Sequence, residues 1–254
     1  MQSILIENGE QLDEVNYRIR LIQKKDGLRF GTDALLLAAY MQSKERARAV
    51  ELGGGSGIIS LLCLAKEKFR EIECVEIQPA YTELIARNAS LNNYADRLHA
   101  CCCDVRDYAQ NGMKRQTADI AFCNPPYMHT GGAANENEEK NIARHEIHGT
   151  ISDFCAAAAR VLRFAGRFYC VYRTDRLIDL IDAMREVKLE PKRMTFVHAT
   201  ENASPSMVLV EGLSGGKPGL RVTRPLILYK SGTQEYTTDM ECVMSNGYLP
   251  QSKE

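Results

Sequence analysis

Hydrophobic and polar positions along this chain change period again and again. Short apolar runs at 47–52, 71–77, 98–103 and 118–123 read as buried strands. Longer stretches at 57–69, 79–92, 151–163 and 175–187 carry apolar residues three and four apart, the spacing that puts them on one face of a helix. Further strands are expected at 166–172 and at about 191–199, 206–212 and 225–230. Strands that alternate with helices run parallel, so the pattern predicts an α/β fold with a mostly parallel sheet covered by helices. Ahead of this block, residues 1–30 read as a strand-rich extension: a strand at 3–6, a turn at Asn8-Gly9, a strand at 17–22 and a turn at Asp26-Gly27. Thr32 is placed to cap a helix from Asp33 to Met41. Residues 31–236 form the main domain, and the polar tail 237–254 is expected to be peripheral. Gly215 to Gly219 reads as an exposed hairpin loop. The polar stretch 128–149 is long for a connection in a compact domain, and such loops are usually functional or mobile.

Two motifs bring chemistry into this frame. The strand at 47–52 runs into Glu51-Leu52-Gly53-Gly54-Gly55-Ser56-Gly57, then a helix. Gly53, Gly55 and Gly57 permit a tight turn and close approach of a ligand to the backbone. Glu76 follows Gly57 by 19 residues, about the ~20-residue spacing at which a carboxylate meets ribose hydroxyls. Ile58 breaks the dinucleotide spacing of glycines. The turn therefore suits an adenosine ligand without phosphates, whose other end is an amino acid.

The second motif is Asn124-Pro125-Pro126-Tyr127, just after the strand at 118–123. Its prolines stiffen the segment and withhold two N–H donors. The Asn124 side-chain carbonyl and the Pro125 backbone carbonyl are two acceptors suited to one planar NH₂ group. Tyr127 offers a flat face for stacking. Alone, the tetrad is more readily a proline-rich turn with a solvated Asn. In order behind a glycine turn and a spaced acid, it points to chemistry on an amino or amide nitrogen.

With these residues in place the chain resembles the class I S-adenosylmethionine-dependent methyltransferases of the amino-methylating type. The resemblance implies a Rossmann-like, mostly parallel seven-stranded sheet with helices on both faces. It implies S-adenosylmethionine as cofactor, bound by Glu51, Gly53, Gly55, Gly57 and Glu76, with Asp104 beside the adenine and Asn124 also at the cofactor. Asn124, Pro125, Pro126 and Tyr127 become the catalytic tetrad. A narrower resemblance covers nearly the whole chain. Phe30-Gly31-Thr32-Asp33-Ala34-Leu35-Leu36-Leu37-Ala38, Ala143-Arg144-His145-Glu146 and Arg224-Pro225-Leu226-Ile227-Leu228-Tyr229 are similar to segments of the bacterial tRNA adenine-N6 methyltransferases. Those enzymes act on adenine 37 of a valine tRNA. This implies a tRNA partner, Tyr127, Arg144 and His145 at the substrate, and Asp33 near the methionine end of the cofactor. His145 beside Glu146 suits a structural pair that orders the loop better than a catalyst, and Asp33 equally suits a carboxylate at a helix N-terminus. Two positions depart from the family: Gly54 stands where Cys or Ala is more usual, and Met128 where an aromatic is common.

Charge modifies this picture slightly. The formal net charge is −1, yet residues 160–230 hold thirteen Lys/Arg against seven Asp/Glu, and residues 17–30 hold five against one. These segments suit either a phosphate-binding surface or ordinary solvated faces. Arg221 and Arg224 are the candidate contacts to RNA. The nine cysteines include no C-x-x-C pair, so no metal site is expected. They fall mostly in strands and helices, as buried thiols do, which suits a reducing cytoplasm. No apolar run approaches the ~20 residues that span a bilayer, so no membrane partner is expected. Three alternatives stay open: a protein-glutamine N5-methyltransferase, a methyltransferase for another RNA or DNA base amine, and a cofactor-binding scaffold subunit without catalysis.

Overall fold

A computed structural model of the chain describes residues 6–26, 30–108, 110, 115–125 and 149–250. Pro126, Tyr127, Arg144 and His145 lie outside the described residues, as do the loop at 128–148 and most of the expected strand at 3–6.

Seven long strands carry the central sheet: β3 (Lys44–Leu52), β4 (Phe69–Glu76), β5 (Leu98–Cys102), β6 (Ala118–Cys123), β7 (Leu162–Arg173), β8 (Leu189–His198) and β9 (Pro205–Ser214). Two-residue strands β10 (Arg221–Val222) and β11 (Leu226–Ile227) both pair with the edge of β8. The order is β10-β8-β9-β7-β6-β3-β4-β5. All pairs are parallel except those of β9, which runs antiparallel between β7 and β8. From β3 the chain builds outward through β4 to β5, then crosses back to lay β6 on the other side of β3. The order therefore reverses between β3 and β6, where open α/β sheets leave a crevice at the strands' carboxyl ends.

Alternation along the strands divides the core between the two faces of the sheet. Ala49, Ile72, Ile120, Phe122, Tyr169, Val171 and Leu209 belong to one apolar cluster. It includes helices α1 (Thr32–Tyr40) and α2 (Ile58–Ala65) and residues Ile85 and Ala89 of α3 (Pro79–Leu91). Val50, Leu52, Val75, Ala121, Cys123, Phe168, Cys170, Val208 and Val210 belong to a second. That cluster includes α4 (Ile151–Val161) and α5 (Leu177–Glu186). Helix α4 begins with a capping box, in which Thr150 accepts the Asp153 N–H and Asp153 accepts the Thr150 N–H. Its buried Phe154, Ala157, Ala158 and Val161 form one stripe.

The lead-in is a hairpin of β1 (Glu10–Val15) and β2 (Ile19–Lys24) that lies on α3. Asn88 of α3 and Asn92, at its C-cap, stand in for a neighbouring strand. Asn88 Oδ1 accepts the Ile22 N–H at 2.8 Å and its Nδ2 donates to the Ile22 carbonyl at 3.0 Å. Asn92 makes the same pair with Arg20, at 2.9 and 2.7 Å. Residues four apart on a helix rise about 6 Å, close to the roughly 6.7 Å of two strand residues. The two amides therefore match alternate residues of one strand edge. Arg87 fastens the base of the hairpin with two 2.7 Å bonds to Glu10.

Several expectations need correcting. The turn at Asn8-Gly9 precedes a strand at 10–15 that the pattern did not suggest, and the strand expected at 17–22 begins at Ile19 after a turn in which Tyr17 takes φ 68°. The N-cap of α1 is Gly31, not Thr32, which is already helical. Helix α2 ends at Ala65 rather than 69, because Glu67 turns left-handed and Phe69 opens β4. Residues 215–219 do not close a hairpin: they lead from β9 to β10, which pairs with β8 instead. The polar tail holds α6 (Thr238–Asn246), which buries Met240 and Val243 in the core. Asn16 Nδ2 and Tyr17 Oη donate to the Met244 and Val243 carbonyls at its last turn, at 2.9 and 2.5 Å. Burial pushes the Tyr17 phenol up to about 12.

Candidate functional site

The glycine turn leaves β3 at the point of reversal. The N–H groups of Gly53 and Gly54 both reach the Val75 carbonyl of β4, at 2.9 and 3.0 Å. Gly53, Gly55 and Gly57 take φ of 76°, 54° and 80°, the left-handed region where a side chain is strained. Their surroundings differ. A Cβ on Gly55 would meet nothing within 4 Å, whereas one on Gly57 would touch Ile85 at 3.3 Å. Gly54 has no positive φ but still admits no side chain, since its Cβ would stand 2.0 Å from Cys74 Sγ. The turn thus packs on Cys74 and Ile85 through Gly54 and Gly57, and is open at Gly55.

Glu76 ends β4 next to this turn and is 6% exposed. Its Oε2 accepts the Gly55 N–H at 2.9 Å and its Oε1 accepts the Gln78 N–H at 3.0 Å. Each oxygen thus has one backbone donor, and a carboxylate oxygen can accept a second. This carboxylate is held firmly and can take two vicinal hydroxyls. Asp104 lies two residues beyond β5, whose Cys102 pairs with Glu76. It is joined to the exposed Arg106 by three side-chain hydrogen bonds.

Glu51 lies behind the turn. It is 1% exposed and accepts hydrogen bonds from Ser60 Oγ and, at 3.4 Å, from Cys74 Sγ. Burial pushes its carboxyl up to about 7, against the pull of these donors. In this position it ties α2 and β4 together beneath the glycines.

Asn124 follows the last residue of β6, on the other side of the crevice. Cys123 pairs with Leu52, so Asn124 and Gly53 leave neighbouring strand ends. Its Nδ2 donates to Asp33 Oδ2 at 2.9 Å. Asp33 stands in the first turn of α1, and its Oδ1 accepts the Ala34 N–H at 2.9 Å. Pro125 is buried. The structure therefore gathers Gly53, Gly55, Gly57, Glu76, Asn124 and Asp33 along the carboxyl edge of the sheet. Arg221 and Arg224 sit by the β8 edge instead: Arg221 pairs with Arg193 in β10, and Arg224 makes a 2.7 Å ion pair with Asp239 of α6.

Two buried polar residues that no motif marks brace these elements, Asn88 beside the glycine turn and Lys68 at the opposite, amino end of β4. Asn88 is fully buried and its Nδ2 also donates to the Ser56 carbonyl at 3.0 Å, linking hairpin, α3 and glycine turn. Lys68 is 1% exposed; its Nζ donates to the Ala38 and Met41 carbonyls at 2.6 and 2.8 Å, capping the end of α1. Burial pulls its ammonium down to about 8. Polar side chains that interrupt an apolar pattern were the available signal for both. Among the described residues no cluster of three or more His, Cys, Asp or Glu could hold a metal ion, and no helix is long and apolar enough to cross a membrane.

Comparison with known proteins agrees with this fold. The methyltransferase small domain family matches residues 24–187. A protein named tRNA1(Val) (adenine(37)-N6)-methyltransferase from Flavobacteriaceae bacterium (strain 3519-10) is 25% identical over 189 residues, covering 74% of this chain and 78% of that one. A protein of the same name from Dickeya chrysanthemi (strain Ech1591) is 24% identical over 226 residues, covering 87% and 88%. Among solved structures, Atu636 from Agrobacterium tumefaciens, described as a predicted O-methyltransferase, superposes with TM-score 0.70 at 21% identity, over 86% of this chain and 98% of that one.

Proposed function

The chain belongs to the methyltransferase small domain family, and from that premise we propose that it methylates N6 of an adenine in tRNA, at adenine 37 of a valine tRNA, with S-adenosylmethionine as methyl donor. The observation that carries this reading is the meeting of the glycine turn, Glu76 and Asn124 at three adjacent strand ends across the point where the sheet order reverses. The tRNA substrate rests on the relatives' names, taken with alignments over most of both chains.

The residues present fit the cofactor. Gly55 is open where a ligand must approach the backbone, and the doubly anchored Glu76 carboxylate suits the ribose hydroxyls. Asp104 borders the adenine end. When bound, S-adenosylmethionine supplies a methyl group already activated by its sulfonium.

The chain then has to present a nucleophile in line and exclude water. An adenine amine is a weak nucleophile because its lone pair is delocalised into the ring. Asn124 Oδ1 and the Pro125 carbonyl accept its two hydrogens and favour a pyramidal nitrogen, which frees the lone pair. The amine held this way would take the methyl group on its freed lone pair, and one of its two N–H protons would then pass to solvent. Positive charge grows on the nitrogen during transfer, so these acceptors help most in the transition state. The base must first leave its stack, at a cost of a few kcal/mol. Stacking on Tyr127 offsets about 1–3 kcal/mol of that.

Single-turnover methyl transfer at saturating tRNA tests the role of Asn124. Asn124→Ala should lower the rate by about a hundredfold or more while cofactor affinity measured by calorimetry stays nearly unchanged. A rate within a few-fold of the parent would remove Asn124 from the chemical step.

A further inference from the structure

We propose that Asp33 is a positioning residue for methyl transfer, fixing the orientation of the Asn124 amide so that its oxygen, not its nitrogen, meets the target amine. This rests on the reaction proposed above but concerns a different residue.

An asparagine amide has two nearly isosteric ends with opposite hydrogen-bonding character. Only one of them can accept an N–H from the substrate. A catalytic asparagine therefore needs something that distinguishes its oxygen from its nitrogen. Asp33 does so. A carboxylate only accepts, and its Oδ2 lies 2.9 Å from Asn124 Nδ2. Turning the amide over would press Oδ1, an acceptor, against that carboxylate. The charge thus holds Nδ2 toward α1 and turns Oδ1 to the opposite side of the amide.

The carboxylate is itself held in place. Its Oδ1 accepts the Ala34 N–H at 2.9 Å in the first turn of α1, where the helix end favours negative charge. Gly31 makes this arrangement possible, since a Cβ there would stand 2.7 Å from Asp33 Oδ1. At its other end α1 is capped by the buried Lys68 ammonium. The helix that carries Asp33 is therefore secured at both termini.

The pair has an electronic consequence as well. Hydrogen bonds in a chain polarise one another. Donation from Nδ2 to a carboxylate raises the electron density on Oδ1, which strengthens the acceptor just as positive charge grows on the amine. Asp33 assists the transition state through Asn124 without touching the substrate.

The near-isosteric Asp33→Asn variant removes the charge that distinguishes the two ends of the amide. At saturating cofactor and tRNA its single-turnover rate should fall about tenfold or more, with cofactor Kd within about threefold of the parent. Added to Asn124→Ala, the same substitution should slow transfer no further than about twofold, because its effect passes through the missing amide. An equal fractional loss in both backgrounds, or a loss confined to cofactor affinity, would overturn the proposal. A readout independent of activity uses the ¹⁵N-labelled protein alone. The Asn124 side-chain NH₂ resonances, identified by their disappearance in Asn124→Ala, should move in both Asp33→Asn and Asp33→Ala. Unmoved resonances would overturn the claim even if the variants were slow. A parent protein that methylates no tRNA would sink the proposed function, and the resonances would then decide the Asp33 claim separately.

Discussion

A Cβ on Gly54 would stand 2.0 Å from Cys74 Sγ, and that sulfur is itself hydrogen-bonded to Glu51. Gly54→Ala should accordingly destabilise the protein by about 1–3 kcal/mol, the usual cost of overpacking. Cys74→Ala in the same chain removes the obstructing atom and should restore most of the loss. Urea unfolding of the parent and the two variants checks this, and an unaffected Gly54→Ala would refute it. The sequence marked Gly54 as a departure from its family but not the reason, which lies on a strand twenty residues away. Glu51 shows the same limit. Its place in the glycine motif was legible, but the burial that raises its carboxyl to about 7 was not. Because its folded pKa lies above its unfolded value near 4.5, the native state binds more protons across that interval. Its contribution is present below about 4.5 and is lost as pH rises to about 7. Glu51→Gln should flatten that fall in stability, measured by urea unfolding from pH 5 to 8; an unchanged slope would contradict the assignment. Glu76 was legible in both position and type. Glu76→Ala should weaken S-adenosylmethionine binding by about 10–100-fold, corresponding to hydrogen bonds with a charged group worth ~1.5–3 kcal/mol. Calorimetric titration would show an unchanged Kd if Glu76 lay outside the site.

Among the elements, α3 does more than its apolar pattern implied. Asn88 occupies a helical position where asparagine is poorly favoured and Asn92 is the residue that caps the helix C-terminus; both pair with the edge of β2. Only Asn88 also reaches the Ser56 carbonyl of the glycine turn. Asn92→Ala should therefore loosen the hairpin alone, seen as faster hydrogen exchange at Arg20. Asn88→Ala should loosen it too and in addition weaken cofactor binding by several-fold. Equal effects of the two variants on cofactor affinity would break the proposed link. The regular elements of the sheet were legible because periods of 2 and 3.6 are strong signals. The hairpin register, the short strand β10 and α6 were not, whereas β11 falls within the strand expected at 225–230. Residues 10–15 are mostly polar and their burial runs against their polarity, with Glu10 buried and Leu12 exposed. Helix α6 buries only Met240 and Val243, too few apolar residues to stand out in a polar stretch.

For the whole molecule, strand alternation and motif order were enough to anticipate a mostly parallel sheet, and the described strands of the central sheet meet that expectation with β9 inserted antiparallel. Surface charge was harder to judge from sequence. The basic residues Arg20 and Lys24 of β2 stand opposite Glu14 and Glu10 of β1, so part of the surplus counted over 17–30 is balanced locally. Arg224 is likewise paired with Asp239. Counts along a chain do not reveal which opposite charges the fold will bring beside them. Phosphate contacts still have to hold the RNA around a flipped base, and tRNA affinity should therefore fall as salt rises. The central claim concerns the product. Incubated with S-adenosylmethionine and tRNA from cells lacking the gene, the purified protein should convert one adenosine of a valine tRNA to N6-methyladenosine, at position 37 when the digest is mapped by mass spectrometry. Absence of N6-methyladenosine from every tRNA, with methylation of a protein glutamine by the same preparation, would contradict it.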